Sequence, residues 1–109
     1  MVDTQVARQH VRSNYLKTLA HPVRLEIIEY LREGEKYVGD IVSYISIGQS
    51  NVSRHLAALK NAGVLNSRQE GSNVYYSVGD ERVFRVLRLV NTILKSNLTD
   101  RASLFRKGP

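Results

Sequence analysis

Apolar residues recur with helical spacing along the first third of the chain. Val11, Tyr15 and Leu19 lie three to four positions apart and predict an amphipathic helix over residues 4–20. This helix should end before Pro22, because proline is favoured in the first turn of a following helix, where its missing N–H has no partner in any case. The apolar pattern then continues to the next glycine and predicts a second helix.

The middle of the chain predicts two further helices joined by a tight turn. A short apolar pattern ends at the turn of residues 46–48, and residues 49–62 follow as a fourth helix. Gly48 is an acceptable N-cap, and Gly63 suits the left-handed conformation that often follows a helix. Two helices connected in this way are typical of a helix-turn-helix.

The second half of the chain predicts a hairpin and one long helix. Residues 64–78 contain two β-branched and aromatic stretches around a Gly-Ser-Asn turn, which is typical of a β-hairpin. Tyr75 and Tyr76 should point to opposite faces, so that one of them packs in the core. A stripe of apolar residues from Val83 to Leu98 predicts the last helix. The fold class is therefore mainly α with a small β-hairpin (α+β), in the order α-α-α-α-β-β-α expected of a winged helix-turn-helix.

The fourth helix separates an apolar face from a polar one. Val52, Leu56 and Leu59 share one side and should face the core. The major groove of DNA admits one α-helix, and its base edges are bound by Arg, Asn, Gln and small hydroxyls. The polar residues of that kind are Gln49, Ser50, Asn51, Ser53, Arg54 and Lys60. An ordinary solvated helix face would also be polar, so the fourth helix alone does not decide between the two interpretations.

The distribution of charge favours a polyanionic partner. The 109 residues carry a formal net charge of +6, and no carboxylate occurs from Ile41 to Gln69. Arg68 on the first hairpin strand and Asn73 near its tip are expected to contact the DNA backbone or the minor groove. For Arg68 an internal ion pair is the alternative, and we expect phosphate contact.

Several classes of protein are not expected from this sequence. The chain has no cysteine, no apolar run long enough to span a bilayer and no secretory signal, so a cytoplasmic protein without a membrane partner is expected. No nucleophile elbow, phosphate loop or metalloprotease motif occurs. We therefore expect no enzyme, no cofactor, no catalytic residue and no metal site.

Three stretches of the sequence resemble the ArsR/SmtB family of winged-helix repressors. They are LKTLAHPVRLEIIEYL at 16–31, IGQSNVSRHLAALKNAGVL at 47–65 and SRQEGSNVYYSV at 67–78. The resemblance implies a homodimer that binds operator DNA and is released by a signal. It places His21 and Pro22 at a structural position, and it places on the DNA-reading helix Gln49, Ser50, Ser53, Arg54 and His55. His55 has a second interpretation as a packed residue on the flank of that helix.

The sequence departs from the metal-sensing members of that family. Tyr37 and Gly39 stand where those members carry cysteines, and no histidine follows His55. Thiolate or imidazole coordination at the family's known sites is therefore not expected. The remaining alternatives are a small organic ligand, a protein partner, a different metal site that includes His10 and carboxylates, or no effector.

The first and last helices are expected to form a dimer interface. The apolar stripe of the last helix is long for so small a domain, although it could instead close the monomer's own core. The interface residues predicted are Leu16, Val83, Leu87, Val90 and Leu94. Residues 1–98 should form one winged helix-turn-helix domain for DNA binding and dimerisation, and residues 99–109 a basic, flexible tail.

Together these patterns predict a sequence-specific transcriptional regulator, most simply a homodimeric repressor of a pseudo-palindromic operator on double-stranded DNA. An unidentified small molecule or protein is a candidate effector, and the absence of any effector is the alternative. Two alternatives remain: a winged helix that binds another protein, and an architectural protein that binds DNA without sequence preference.

Overall fold

The computed structural model describes the backbone of residues 4–106 and the side chains of residues 4–100. Helices dominate and a small antiparallel sheet accompanies them, which confirms the predicted fold class. The elements are α1 (Thr4–Leu19), α2 (Pro22–Tyr30), a 3-10 turn (Leu31–Glu33), β1 (Lys36–Tyr37), α3 (Val38–Ile45), α4 (Gln49–Asn61), β2 (Leu65–Glu70), β3 (Asn73–Val78) and α5 (Arg82–Arg106). None of the helices in this part of the chain is both long and apolar enough to cross a membrane.

The chain divides into two compact units, residues 1–79 and residues 80–109. The first unit holds α1 to α4 and the sheet, and it contains one apolar core. Its buried side chains are Leu19, Ile27, Ile28, Leu31, Ile41, Val52, Leu56, Leu59, Val64 and Leu65. These positions come from every helix of the unit and from β2, so the core fixes α4 against the other elements.

The start of α2 is defined by His21 and Pro22. His21 has extended backbone geometry, and its Nδ1 accepts a hydrogen bond from the N–H of Val23 at 3.2 Å. Pro22 occupies the first helical position, where no N–H is needed. The structural role predicted for His21 is thereby confirmed.

The sheet has one strand more than the sequence predicted. β1 pairs antiparallel with β3, so that the strand order is β1-β3-β2 and the observed element order contains β1 between α2 and α3. A strand of two residues is too short to produce an alternating pattern. β2 and β3 form the hairpin that we call the wing. Glu70 pairs with Asn73, so Gly71 and Ser72 form the turn of the wing, and Gly71 has a positive φ of 63°.

The two adjacent tyrosines of β3 differ from the prediction. Tyr75 and Tyr76 are both half-buried, and neither belongs to the buried core. Tyr75 lies opposite both Tyr37 and Arg68 in the sheet, and its ring contacts both side chains. The expectation that one tyrosine packs in the core is therefore wrong: Tyr75 packs against Tyr37 and Arg68 of the neighbouring strands, and Tyr76 is only half-buried.

The second unit consists mainly of α5. The guanidinium of Arg82 lies 2.6 Å from the carboxylate of Asp80, which also accepts the backbone N–H of Arg82, and together these bonds lower the pKa of Asp80 to about 2. The helix continues to Arg106, beyond Leu98, where the apolar stripe that predicted it ends; the flexibility of the tail stays a prediction. No glycine or proline occurs between Arg82 and Gly108 to end the helix earlier. Residues 107–109 of the predicted tail lie outside the described part.

Candidate nucleic-acid interface

The turn before α4 is held by its own backbone and by one asparagine. Ser46 adopts the left-handed conformation, with φ of 61°, and its N–H donates to the carbonyl of Val42 at 3.0 Å, which ends α3. Gly48 follows with φ of 93°. The Nδ2 of Asn51 donates to the carbonyl of Ile47 at 2.9 Å. The first turn of α4 is therefore fixed to the residues that precede it.

Three buried side chains of α4 pack into the apolar core. Val52, Leu56 and Leu59 are each at most 1% exposed, as their spacing predicted. The residues on the other side and in the first turn are exposed: Gln49, Ser50, Asn51, Ser53, Arg54, Ala57 and Lys60. The helix thus offers one continuous polar surface to solvent.

Asn51 also orients the longest side chain of that surface. Its Oδ1 accepts a hydrogen bond from Nη2 of Arg54 at 2.9 Å, while its Nδ2 is used by the turn. Asn51 thus links the turn to Arg54 and limits the directions that the guanidinium can take. In the part of the chain that the structure describes, the side chains of Gln49, Ser50 and Ser53 make no hydrogen bond to the protein.

The N-terminus of α4 presents unpaired backbone N–H groups. Gly48 supplies no side-chain cap, and the first turn contains no acidic residue. The first N–H groups of a helix lack carbonyl partners and carry partial positive charge, so they attract anions such as phosphate. This end of α4 is electrostatically suited to a nucleic-acid backbone.

His55 packs beside the polar surface and does not belong to it. The ring is half-buried, its Nδ1 accepts from Nε of Arg24 at 3.2 Å, and its centroid lies 4.4 Å from that of His21. Burial lowers the pKa of His55, and the electrostatic influence of His21, Arg24 and Arg54 lowers it further. Of the two roles considered for His55, the structure supports the packed one.

Arg68 was expected to contact phosphate, but its guanidinium is engaged in ion pairs within the protein. Its Nε and Nη2 donate to the two carboxylate oxygens of Glu35 at 3.0 and 2.7 Å, and its Nη1 donates to Glu70 at 2.7 Å. The guanidinium also lies 4.6 Å from the ring centre of Tyr75. The expectation that Arg68 avoids an internal ion pair is wrong, because β1 brings Glu35 to the same face of the sheet.

The pairing of Arg68 predicts a contrast in salt dependence. Replacing Lys60 with alanine should reduce the slope of log affinity for duplex DNA against log salt by about one counterion. Replacing Arg68 with alanine should leave the slope nearly unchanged, because two carboxylates already neutralise its charge. Binding titrations over a range of salt concentrations measure both slopes. A loss of one counterion in the Arg68 variant would show that the arginine leaves its carboxylates to contact phosphate.

The sequence did not predict two residues that fix side chains in this region. Glu35 holds Arg68, and Arg24 on α2 holds His55. Both contacts join residues more than thirty positions apart. Hydrophobic periodicity reports which face of one element is buried and carries no signal for such pairs. Asn73 was placed correctly at the exposed tip of the wing.

The predicted dimer residues differ in how far they are exposed. Leu16, Val90 and Leu94 are between 45% and 58% exposed, and Leu87 is half-buried. Val83 is only 5% exposed within the chain. Val83 therefore has little surface left to contact a partner, whereas the other four side chains remain accessible.

The described residues do not bring together three or more His, Asp or Glu side chains with the geometry to hold a metal ion. His10 lies on the exposed surface of α1 and belongs to no such group among these residues.

Comparison with known proteins assigns the chain to a family. The profile described as bacterial regulatory protein, arsR family, matches residues 21–67. The HTH-type transcriptional regulator Rv0081 of Mycobacterium tuberculosis is 33% identical over 87% of this chain and 84% of its own length. The biofilm growth-associated repressor of Xylella fastidiosa is 35% identical over 74% of this chain and 71% of its own.

Solved structures agree with these sequence relatives. The crystal structure of Rv0081 superposes with a TM-score of 0.79 over 86% of this chain and 95% of that one, at 33% identity. The homodimeric winged helix-turn-helix DNA-binding domain of Mb0332 from Mycobacterium bovis gives a TM-score of 0.78 at 31% identity, covering 90% and 91% of the two chains. The resemblance seen in the three sequence stretches is confirmed: the chain belongs to the ArsR family and is a winged helix-turn-helix transcriptional regulator.

Proposed function

We propose that the protein is a homodimeric repressor that binds a pseudo-palindromic DNA operator, with α4 of each protomer in a major groove. The observation that carries this proposal is the division of α4 into a fully buried apolar face and an exposed polar face. The wing lies on the flanking backbone in this arrangement, as is usual for winged helices.

The exposed face of α4 suits base recognition in size and in chemistry. Arg54 matches the two acceptors of guanine, and Gln49 matches the donor and acceptor of adenine. Ser50, Ser53 and Ala57 are small, so the helix axis can approach the bases closely. A protein partner would favour apolar or aromatic anchors at the centre of such a face, and α4 exposes only Ala57 there.

The charge of the surrounding segment supports binding to the phosphate backbone. Residues 41–69 contain no carboxylate, and the N-terminus of α4 adds its backbone N–H groups. Lys60 lies on the exposed side near the other end of the helix. Positive groups at both ends of α4 would hold it along the groove.

Dimerisation supplies the second half of the operator contact. α1 and α5 each expose large apolar side chains in the single chain, which water would otherwise have to cover. They include Val11, Leu16, Leu89, Val90, Ile93, Leu94 and Leu98. The M. bovis relative is described as homodimeric. A two-fold axis would place two copies of α4 about one helical turn of DNA apart, ~34 Å.

Repression would be relieved by a change in how the dimer helices pack. Such a change alters the distance between the two copies of α4, and both half-site contacts weaken together. The X. fastidiosa relative is named as a repressor, which supports this direction of control. The chain has no cysteine, so the signal would not be a thiolate-bound metal or a thiol oxidation.

Selection of bound fragments from random duplex DNA tests the proposal. We expect an inverted repeat whose halves are centred about 10 base pairs apart, or a multiple of that spacing. A single unrepeated site would contradict the two-fold arrangement. Uniform recovery of all sequences would instead identify an architectural protein without sequence preference.

Arg54 should carry a large share of the sequence preference. Replacing it with alanine should weaken binding to the selected operator by about 1–3 kcal/mol and relax the choice of base at one position in each half-site. Titration of the operator and of its single-base variants measures both effects.

Arg54→Lys is the matched control, because lysine keeps the charge and loses the planar fork that matches guanine. We expect Arg54→Lys to lose base preference while it retains affinity for random DNA. Unchanged base preference in both variants would contradict the role given to Arg54.

A further inference from the structure

Arg24 joins three helices through one side chain. It lies half-buried on α2, and its Nε donates to Nδ1 of His55 on α4 at 3.2 Å. Its Nη1 donates to the backbone carbonyl of Thr18 in the last turn of α1, also at 3.2 Å. The guanidinium therefore connects α4 to the end of α1, a helix that exposes Val6, Val11 and Leu16.

Each of these bonds satisfies a group that would otherwise lack a partner. The carbonyls in the last turn of a helix have no N–H donor within the helix, and a positive charge is favourable at that end. Because the guanidinium is rigid and planar, two bonds in different directions fix the distance and angle between the end of α1 and the middle of α4. A flexible ammonium group would not impose the same geometry.

The bond to His55 exists in only one protonation state. Because Nδ1 accepts a hydrogen bond, it carries no proton, and the neutral ring holds its proton on Nε2. A second proton on Nδ1 would turn the acceptor into a donor directed at another donor, and it would place a positive ring beside a positive guanidinium. The groups that face His55 are His21 and Arg24 from α2 and Arg54 from its own helix, all of which disfavour a positive ring.

We propose that Arg24 is a positioning residue for DNA recognition. It fixes α4 relative to the end of α1 while His55 is neutral, and protonation of His55 at low pH breaks the hydrogen bond that makes this link. The inference rests on the proposed DNA-reading role of α4. It adds a pH response at the packed flank of the helix, away from the residues that would contact bases. Acidification would then reduce the discrimination between operator and random DNA.

The sign of the response follows from the direction of the pKa shift. The pKa of His55 is lowered from its ordinary value of 6.5, first by burial and then by the neighbouring positive charges. The unfolded chain therefore takes up a proton at a higher pH than the folded protein does. The contribution of neutral His55 to stability is complete above about pH 6.5 and is lost as the pH falls through the lower, folded pKa.

The ratio of affinities for the selected operator and for random duplex DNA is the appropriate readout. A protonated histidine raises the affinity for all DNA through its charge, and the ratio removes that general effect. In the unmodified protein the ratio should fall roughly three- to ten-fold between about pH 7.5 and a pH below the folded pKa of His55, the size expected for loss of one hydrogen bond. His55→Gln offers an acceptor that does not titrate, so its ratio should lose this pH dependence.

Two substitutions of Arg24 separate positioning from charge. Arg24→Ala should give a low ratio at both pH values. Arg24→Lys keeps the charge but cannot donate to both acceptors with the same geometry, so its ratio should also be low while its affinity for random DNA stays unchanged. An unchanged operator-to-random ratio in Arg24→Lys would overturn the positioning role.

Imidazole ¹⁵N NMR tests the bond without DNA. In the free protein at neutral pH, His55 should show an unprotonated Nδ1, and Arg24→Ala should raise its titration midpoint because a nearby positive charge and a donor to the neutral ring are removed. Equal midpoints, or equal pH dependence of the ratio in the unmodified protein and His55→Gln, would overturn the inference. If random DNA yields no enriched operator, the proposed function fails, and the NMR midpoints still decide whether Arg24 controls His55.

Discussion

Replacing Leu56 with alanine should lower the free energy of unfolding by about 2–5 kcal/mol. Leu56 is 1% exposed and lies between Val52 and Leu59 on the buried face of α4. The substitution removes apolar contacts from the centre of a small core and leaves a cavity that the surrounding backbone can close only in part. Urea denaturation at one fixed protein concentration measures the loss, because the stability of a dimer depends on concentration.

Ser53→Ala is the matched control on the opposite face of the same helix. Ser53 is exposed, so this change should alter the free energy of unfolding by less than about 0.5 kcal/mol. A similar loss from both substitutions would mean that α4 is buried on both faces. The polar surface required for DNA binding would then not be accessible.

Leu94→Glu should convert the proposed dimer into monomers at micromolar concentration. Leu94 is 58% exposed in the single chain, and its burial in an interface would contribute about 1.5–3 kcal/mol. A two-fold interface contains the residue twice, so the substitution should raise the dimer Kd by at least about 100-fold. Buried negative charge adds to this effect. Sedimentation velocity over a range of concentrations measures the change.

Thr92→Glu adds the same charge to the other side of α5. At about 100° per residue, Thr92 lies on the opposite side of the helix from the middle of the apolar stripe. We expect this variant to remain dimeric and to bind operator like the unmodified protein. Loss of the dimer in both variants would indicate a general effect of charge on α5. If neither variant lost the dimer, the apolar stripe would not form the interface.

The sequence was most informative where the signal was local. The limits and faces of α4 follow from two glycines and a 3.6-residue period, and the structure places Gly48 and the three buried residues as predicted. The polar surface that carries the proposed function could therefore be predicted almost completely. The start of α2 was equally clear, because proline has few favourable positions in a helix.

The electrostatic pairing of the site could not be predicted in the same way. Arg68 looked accessible because its own segment has no carboxylate, but Glu35 reaches it from thirty-three positions away. The hydrogen bond between Arg24 and His55 joins residues that are separated by a similar length of sequence. Such contacts depend on how elements pack in three dimensions, and a single sequence shows only which side chains are able to make them.

Short and terminal elements were also difficult. β1 has two residues, too few to produce a recognisable alternation, yet it brings Glu35 and Tyr37 beside the wing. At the other end, the apolar stripe ends at Leu98, and the terminal segment after it was expected to fray. The helix continues because those residues contain no helix breaker, and composition is a weak guide to the end of a helix.

The short turn at Gly71 and Ser72 has a consequence for the operator. A wing closed by a two-residue turn, with the charge of Arg68 on its first strand neutralised by two carboxylates, has little length to extend along the minor groove. Sequence information would then be concentrated in two short blocks, one under each copy of α4, while the base pairs outside them vary freely between regulated promoters. A genome search for target genes should weight the two inner blocks and their separation, and it should ignore the flanks.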